Sequence, residues 1–559
     1  MVSLTQLLSC IESGIVKFFE QLLPICDRSL TKAGVWNPGS KVAGMNFGSA
    51  RHYLGLLLFI LSTQLGLAQT PTEYREFAEN SVYDVWYGIY ATGQKLGYYH
   101  LTAEISEDGK QYVVTEDMLT VSTFAGERSE DRSKLVINYS LEDGRITSSR
   151  GVDTGGGERL VTTVEPHRER LKLTTDTGER QQSRIVDLPF TSLGEEMRFV
   201  NWMRGASAGD TFDSYSLDWS KEPVDTPQTF VFRSQETASV NGVVTQLYNL
   251  QEKSLGLVQD GQFDHSGVPV WQKAGGLFEI KREPEEVATK MDDTPVEILA
   301  KTTVRSNIKL GESPIYELVL DASGLGDYKF PEATYQKVRY MPGGKARIAI
   351  RPPEGKPEPA PLEDREMFLR STPSLQVDSE EIKRLIDSME LDQMTEREKV
   401  EKLTSWVYQH LEKVSNVNAS TSLSVLNNGA GDCTEHALLL TTLLRAASIP
   451  ARELSGLVYT NDDLQVFGYH AWVEVYVDGG WMAVDPTFDQ VPADAGHILQ
   501  SREDSLAELQ IMGTLKLNVV RLRSKYKNYV RQPGILNNVL LFAFLGTVVA
   551  GAARPPAFD

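Results

Sequence analysis

The sequence predicts an α+β protein, with an N-terminal antiparallel β region followed by a domain in which helices precede strands. Three observations predict it. From about Ser81 to Arg282 apolar and polar residues alternate, and turn dipeptides recur. That period of two marks half-buried strands. The alternation returns from about Ala300 to Ile350, and a proline-dense stretch, 352–361, then ends it. Beyond the prolines the apolar spacing becomes helical before it turns back to strands.

Composition bounds the answer. The chain has 559 residues, enough for several domains, and 41% apolar content, ample for packed cores. The formal charge is −20. That acidic balance disfavours nucleic acid as a partner, because neutralising phosphates needs clustered Lys and Arg. Cysteine is sparse: Cys10, Cys26 and Cys433.

Residues 1–44 form an N-terminal extension with a helix-like run, Leu4 to Leu23. Residues 45–68 read as an export signal. Arg51 and His52 give a weakly basic start, Leu54 to Leu67 is mostly apolar, and Gly66-Leu67-Ala68 offers small residues for cleavage. Two readings stay open: translation from Met45, or an amphipathic N-terminal helix with 45–68 as a membrane anchor. Cleavage after Ala68 would leave Cys433 as the sole thiol. The expected location is periplasmic or secreted, with possible membrane association through 45–68 or 535–553.

Residues 69–290 are expected to be one antiparallel β domain, a meander or open barrel. Tyr99, Leu101, Ala103 and Ile105 share a face against Thr102 and Glu104. Asp108-Gly109, Asp143-Gly144, Asn241-Gly242 and Asp260-Gly261 are hairpin signals, because Asn or Asp before Gly accepts positive φ. Glu283 to Thr289 reads as a short helical connector. Residues 291–350 are expected to form a small β module, and 351–375 a stiff, extended linker.

Residues 376–523 carry the second domain. Asp378 and Glu381 have capping-box spacing before Ile382, and Thr395 with Glu398 repeats it before Val400, Leu403, Val407 and Leu411. A third helix runs from Cys433 to about Ala447, with Asp432 as its N-cap and Ile449-Pro450 as its stop. Strands follow, the last two joined at Asp478-Gly479-Gly480. The tail, 524–559, is basic and then apolar. Arg521, Arg523, Lys525, Lys527 and Arg531 precede the run 535–553, which is short for a membrane span.

Cys433, His470 and Asp485 stand in the order thiol, imidazole, carboxylate. At the first helical position, free N–H groups and the helix dipole favour a thiolate at Cys433. If Asp478-Gly479 is a two-residue turn, Val477 pairs with Gly480 and Asp485 falls opposite Trp472. Its side chain then shares a face with His470, one diagonal away, about 7–8 Å between Cα atoms. A three-residue turn would put it on the wrong face. The pattern is that of nucleophile, base and orienter in cysteine acyl transfer. The Cys433 N–H is a natural oxyanion donor, with Trp406, Asn427 and Asn428 as candidates for a second. His410 is expected to be a packing or surface residue; His436 is expected to pack under the site, with a place near it as the alternative, and His497 to be structural, with covering the site edge as the alternative. No metal or cofactor is expected, because Asp432, Cys433 and His436 offer a single thiol and no matching second pair.

Gly431-Asp432-Cys433, Tyr469-His470-Ala471-Trp472-Val473-Glu474-Val475, and Trp481 with Val484-Asp485-Pro486-Thr487 resemble the three motifs of the transglutaminase-like superfamily, in its bacterial exported type. The resemblance covers about Glu396 to Asp489. It implies a papain-like core and a catalytic triad of Cys433, His470 and Asp485. The activity it implies is a cysteine peptidase or acyltransferase acting on protein or peptide amides through a thioester. Hydrolysis is expected before cross-linking. A non-catalytic envelope-binding protein with a vestigial triad is the alternative.

Overall fold

The computed structural model of the chain describes residues 69–530, except 125–126, 156–157, 169, 177–180, 187–192, 218–224, 276–277, 293–295, 298–302, 312–313, 373, 414–420, 461, 503–506 and 526–527. The expected signal, 45–68, and the apolar run, 535–553, lie outside the described residues. Among the described residues no helix is long and apolar enough to cross a membrane.

The N-terminal region is a 15-stranded, almost wholly antiparallel sheet. Its strands from Tyr83–Ala91 to Gln181–Val186 lie side by side in sequence order. Those from Thr211–Leu217 to Phe278–Glu283 continue on the other flank. The two runs meet where Tyr83–Ala91 pairs with Phe278–Glu283. Helix Leu193–Gly205 links them, placing Leu193 and Met197 in one apolar cluster and Phe199, Val200 and Met203 in the next. Asn241-Gly242 is a turn with positive φ at both residues, as expected. Asp260-Gly261 is not a turn. Both residues sit inside strand Leu257–Phe263, where Phe263 and Gln272 side chains fill the space that a Cβ at 261 would need.

The stretch 291–350 does not stand apart. Strands Gln336–Met341, Lys345–Ile350 and Ile315–Ser323 share a sheet with Lys516–Ser524 and Asn528–Val530. The start of the basic tail is therefore a strand. Its arginines pair with acids: Arg521 with Glu317 and Arg523 with Glu354. The proline-dense stretch has no helix or strand and runs along the second domain, where Ala360 donates to the Gly479 carbonyl and accepts from the Tyr476 hydroxyl.

In the second domain, helices Glu380–Ser388, Glu396–His410, Ser422–Asn428 and Cys433–Ala446 share an apolar cluster with Val473, Val475, Val477 and Val484 of the adjacent sheet. The first helix is capped by Ser379 rather than Asp378, because the Ser379 hydroxyl accepts from the Ile382 N–H. Thr395 and Glu398 form the expected capping box. The sheet runs Val304–Arg305, Val466–Val477, Ala451–Tyr459, His497–Arg502, with Gly480–Val484 on the free side of Val466–Val477. Both faces of the central strand are buried. Trp472 packs on the face away from the helices with Tyr335, Leu454 and Leu499, which period two alone does not reveal. A further apolar cluster runs unbroken from Tyr87 and Ile89 through Leu318 and Leu320 to Phe467 and Tyr469, so the regions share a core.

Candidate active site

Helix Cys433–Ala446 is buried along most of its length. The Asp432 carboxylate accepts from the Thr434 N–H at 2.7 Å, and the Glu435 carboxylate accepts from the Asp432 N–H at 3.0 Å. This reciprocal cap fixes the first turn and leaves Cys433 as its first residue, fully buried. One turn on, His436 donates from Nδ1 to the Asp432 carbonyl, which leaves Nε2 as a buried acceptor without a partner. Burial holds its pKa down at about 4, so the ring is neutral.

The Asp478-Gly479 turn has φ of 53° and 86°, positive at both central residues. Val477 therefore pairs with Gly480, and the ladder runs in register to Val473–Val484. Asp485 follows one step past that last pair, held by a two-way backbone bridge to Gln490. That register brings the side chains together: His470 Nε2 lies 2.8 Å from Asp485 Oδ2. With Nε2 committed, Nδ1 is the ring nitrogen left for a thiol. His436 lies within electrostatic reach of both Asp485 and His470. The helix that begins at Cys433 packs against strand Val466–Val477, which carries His470.

The Asp485 carboxylate is saturated with donors. Oδ1 accepts from the Thr487 and Phe488 N–H groups, at 2.7 and 3.2 Å. Oδ2 accepts from His470 and also from His497 Nε2, at 2.9 Å. Burial alone would raise this carboxyl. The two imidazoles and the hydrogen bonds win, and hold it well below the usual carboxylate range. His497 is itself opposed by burial. Asp485 and Asp494 outweigh that opposition and lift it to about 9, so it is a cation at neutral pH.

Sequence reasoning left His497 between a structural role and covering the site edge, and the structure sets it on Asp485. It starts a strand two positions across the sheet from His470, with Ala451–Tyr459 between them. Gly456 is the residue opposite His470 there. A Cβ at 456 would come within 2.1 Å of the Ile498 carbonyl oxygen and 2.8 Å of the Trp472 ring. The bare backbone lets the layers close. Phe488 is a second omission. Its ring stacks on His470 at 5.0 Å between centroids and restrains the imidazole. An Asp followed within three residues by free N–H groups is a local turn signal that could have pointed to the Thr487 and Phe488 contacts. Nothing local marks His497.

Trp406, Asn427 and Asn428 lie on the two helices that precede Cys433. Trp406 stacks on His410, as packing predicts. Asn427 and Asn428 are exposed at a helix end. No hydrogen bond ties Trp406, Asn427 or Asn428 to the imidazole pair among the described residues. His470, Asp485 and His497 do place three possible metal-ligand atoms within 4.8 Å of one another. The two N···O separations, 2.8 and 2.9 Å, are hydrogen-bond lengths, so protons suffice to explain that spacing.

A cysteine at the N-terminus of a helix that packs on the strand of a buried His–Asp pair fits a cysteine-based enzyme in general. The comparison with known families names the branch. Residues 383–486 match the model of the transglutaminase-like superfamily, and the chain carries a domain of that superfamily. A protein-glutamine gamma-glutamyltransferase of Pseudomonas aeruginosa is 32% identical over 126 residues. The match covers 19% of each chain, so this chain spans about a fifth of that relative's length. Two solved structures overlap it loosely. A candidate cysteine protease from Cytophaga hutchinsonii is 17% identical with a TM-score of 0.27, over 39% of this chain and 93% of that one. A candidate protease from Parabacteroides distasonis is 14% identical with a TM-score of 0.16, over 58% and 63%. Superpositions this weak do not bear on the fold.

Proposed function

We propose that the chain is an exported cysteine acyl-transfer enzyme acting on amide bonds of proteins or peptides. The observation that carries this reading is the buried 2.8 Å contact between His470 Nε2 and Asp485 Oδ2, close to the helix end that bears Cys433. In this reading His470 Nδ1 takes the Cys433 proton. The thiolate attacks the amide carbonyl, and the C–N bond breaks as His470 returns the proton to the leaving amine. The remaining thioester is attacked by water, whose proton goes to His470, and the C–S bond breaks to free the acid. Asp485 fixes the ring tautomer. The helix start supplies the Cys433 N–H to the oxyanion. Export rests on the apolar run 54–67 and the small residues after it.

A second acceptor is supported by one comparison, the gamma-glutamyltransferase relative. An amine in place of water gives an isopeptide product by the same thioester. Intact-mass analysis with a Gln-bearing peptide, with and without a labelled amine, tests both. A Cys433 adduct that resolves to free acid supports hydrolysis, and amine incorporation supports transamidation. No adduct and no product with wild type, under conditions where Cys433→Ala behaves identically, contradicts the proposal.

A further inference from the structure

Asp485 does not stand alone behind His470. On its far side a second imidazole–carboxylate pair, His497 and Asp494, backs the first. The segment Asp494-Ala495-Gly496 is a tight turn that places the His497 ring. Asp494 Oδ1 accepts from the Gly496 N–H at 2.8 Å, and Oδ2 accepts from the Ile315 N–H at 3.1 Å. The Ala495 N–H donates to the Ile315 carbonyl at 2.8 Å, so the turn is fastened to the start of strand Ile315–Ser323. Gly496 permits the closure, because a Cβ there would come within 2.9 Å of Asp494 Oδ1.

That fastening settles the charge of the ring by geometry. His497 Nδ1 lies 3.1 Å from the Asp494 carbonyl oxygen and 3.4 Å from Asp494 Oδ1. Nε2 lies 2.9 Å from Asp485 Oδ2. Carbonyl and carboxylate oxygens only accept, so both ring nitrogens carry protons and the imidazole is a cation. The side chains of His470, Asp485, His497 and Asp494 are at most 9% exposed, so solvent screens their charges little. Asp485 and Asp494 bring two negative charges and His497 one positive, which leaves one net negative charge behind His470.

We propose, on the acyl-transfer reading, that His497 and Asp494 are positioning residues, which hold Asp485 from behind and set how firmly His470 keeps its proton. The His497 cation shares Asp485 Oδ2 with His470, and it opposes a second positive charge on a ring 5.8 Å away between centroids. Asp494 offsets part of that opposition. The reaction needs such a balance, because His470 takes a proton and returns it in each half. The charged and titratable groups that face His497 are Asp485, Asp494 and His470. Trp472 and Phe488 lay their rings against it, and Val458 lies opposite on strand Ala451–Tyr459. His436, which is neutral, lies within electrostatic reach of Asp485.

NMR of the full chain, isotope-labelled at histidine Cε1, reads the coupling without any substrate, with the His470 signal assigned by its loss in His470→Gln. The pH midpoint of His470 should rise by about one unit in His497→Phe, which removes a cation. It should fall by about half a unit in Asp494→Asn, which removes an anion and keeps the turn's acceptor. His497→Gln, still a donor to Asp485, should give a smaller rise than His497→Phe. The alkaline limb of the pH–rate profile on a Gln-bearing peptide should move in the same order. kcat should change and KM should not, because neither residue touches the substrate. A residue that served folding alone would lower stability without these opposed shifts. Shifts of one sign for His497→Phe and Asp494→Asn, or no shift in folded variants, overturn the proposal. Opposed shifts in a chain whose wild type shows no turnover uphold the hold on His470 and contradict the acyl-transfer reading alone.

Discussion

Two carboxyls opposed by desolvation, the buried Asp485 and the half-buried Glu116 of strand Gln111–Phe124, end in opposite states. Asp485 is held far below its ordinary range, whereas Glu116 is raised to about 7. Desolvation is the leading influence on both. The difference is the donors. Asp485 receives two backbone N–H groups and two imidazoles, while Glu116 borders tyrosines and has the Tyr99 hydroxyl as its side-chain donor. Burial therefore does not set the charge of a carboxyl; the count of committed donors does.

The comparison breaks most directly at the catalytic end. His470→Ala should slow acyl transfer by about 10²–10⁴-fold, measured as thioester formation on a Gln-bearing peptide. Asp485→Asn strands the His497 cation and should lower unfolding stability by about 3–5 kcal/mol at pH 7, read from denaturant curves. At the other end Glu116→Gln should stabilise. A carboxyl whose folded pKa is raised contributes stability below its unfolded value, and loses it as pH rises through about 7. The variant should therefore be about 1–3 kcal/mol more stable than wild type at pH 8 and little different at pH 4. His497→Phe removes a cation that competes for Asp485, so the alkaline limb of the pH–rate profile should move up by about one unit. His497→Gln, which can still donate, should move it less. The smallest effect belongs to His436, whose pKa is lowered to about 4. Its unfolded form protonates first, so stability falls from about pH 6.5 down to 4, and His436→Gln should flatten that slope.

Much of the site was legible because it depends on local rules. Asp432 as N-cap, Cys433 at the first helical position and the two-residue turn at 478–479 are each written in a few adjacent residues. From the turn alone, the strand register carries Asp485 to His470's face. The meander of the N-terminal region is equally local, since its hairpins join neighbours. What escaped depends on order across a sheet. His497 reaches Asp485 because Ala451–Tyr459 lies between two other strands and narrows at Gly456. The pairing of 315–350 with 516–524 joins segments far apart in sequence. Asp260-Gly261 misled because the dipeptide that makes a turn also fits a strand that needs an empty site.

The central claim is that His470 draws the proton from Cys433. The measurement that tests it most directly is the pH dependence of Cys433 alkylation by iodoacetamide, followed by intact mass in wild type, His470→Ala and Asp485→Asn. Wild type should react well below the ordinary thiol range, near pH 6–7. His470→Ala should show only the rise of an unassisted thiol, around pH 8–9, with Asp485→Asn between them. Superimposable profiles for wild type and His470→Ala would contradict it.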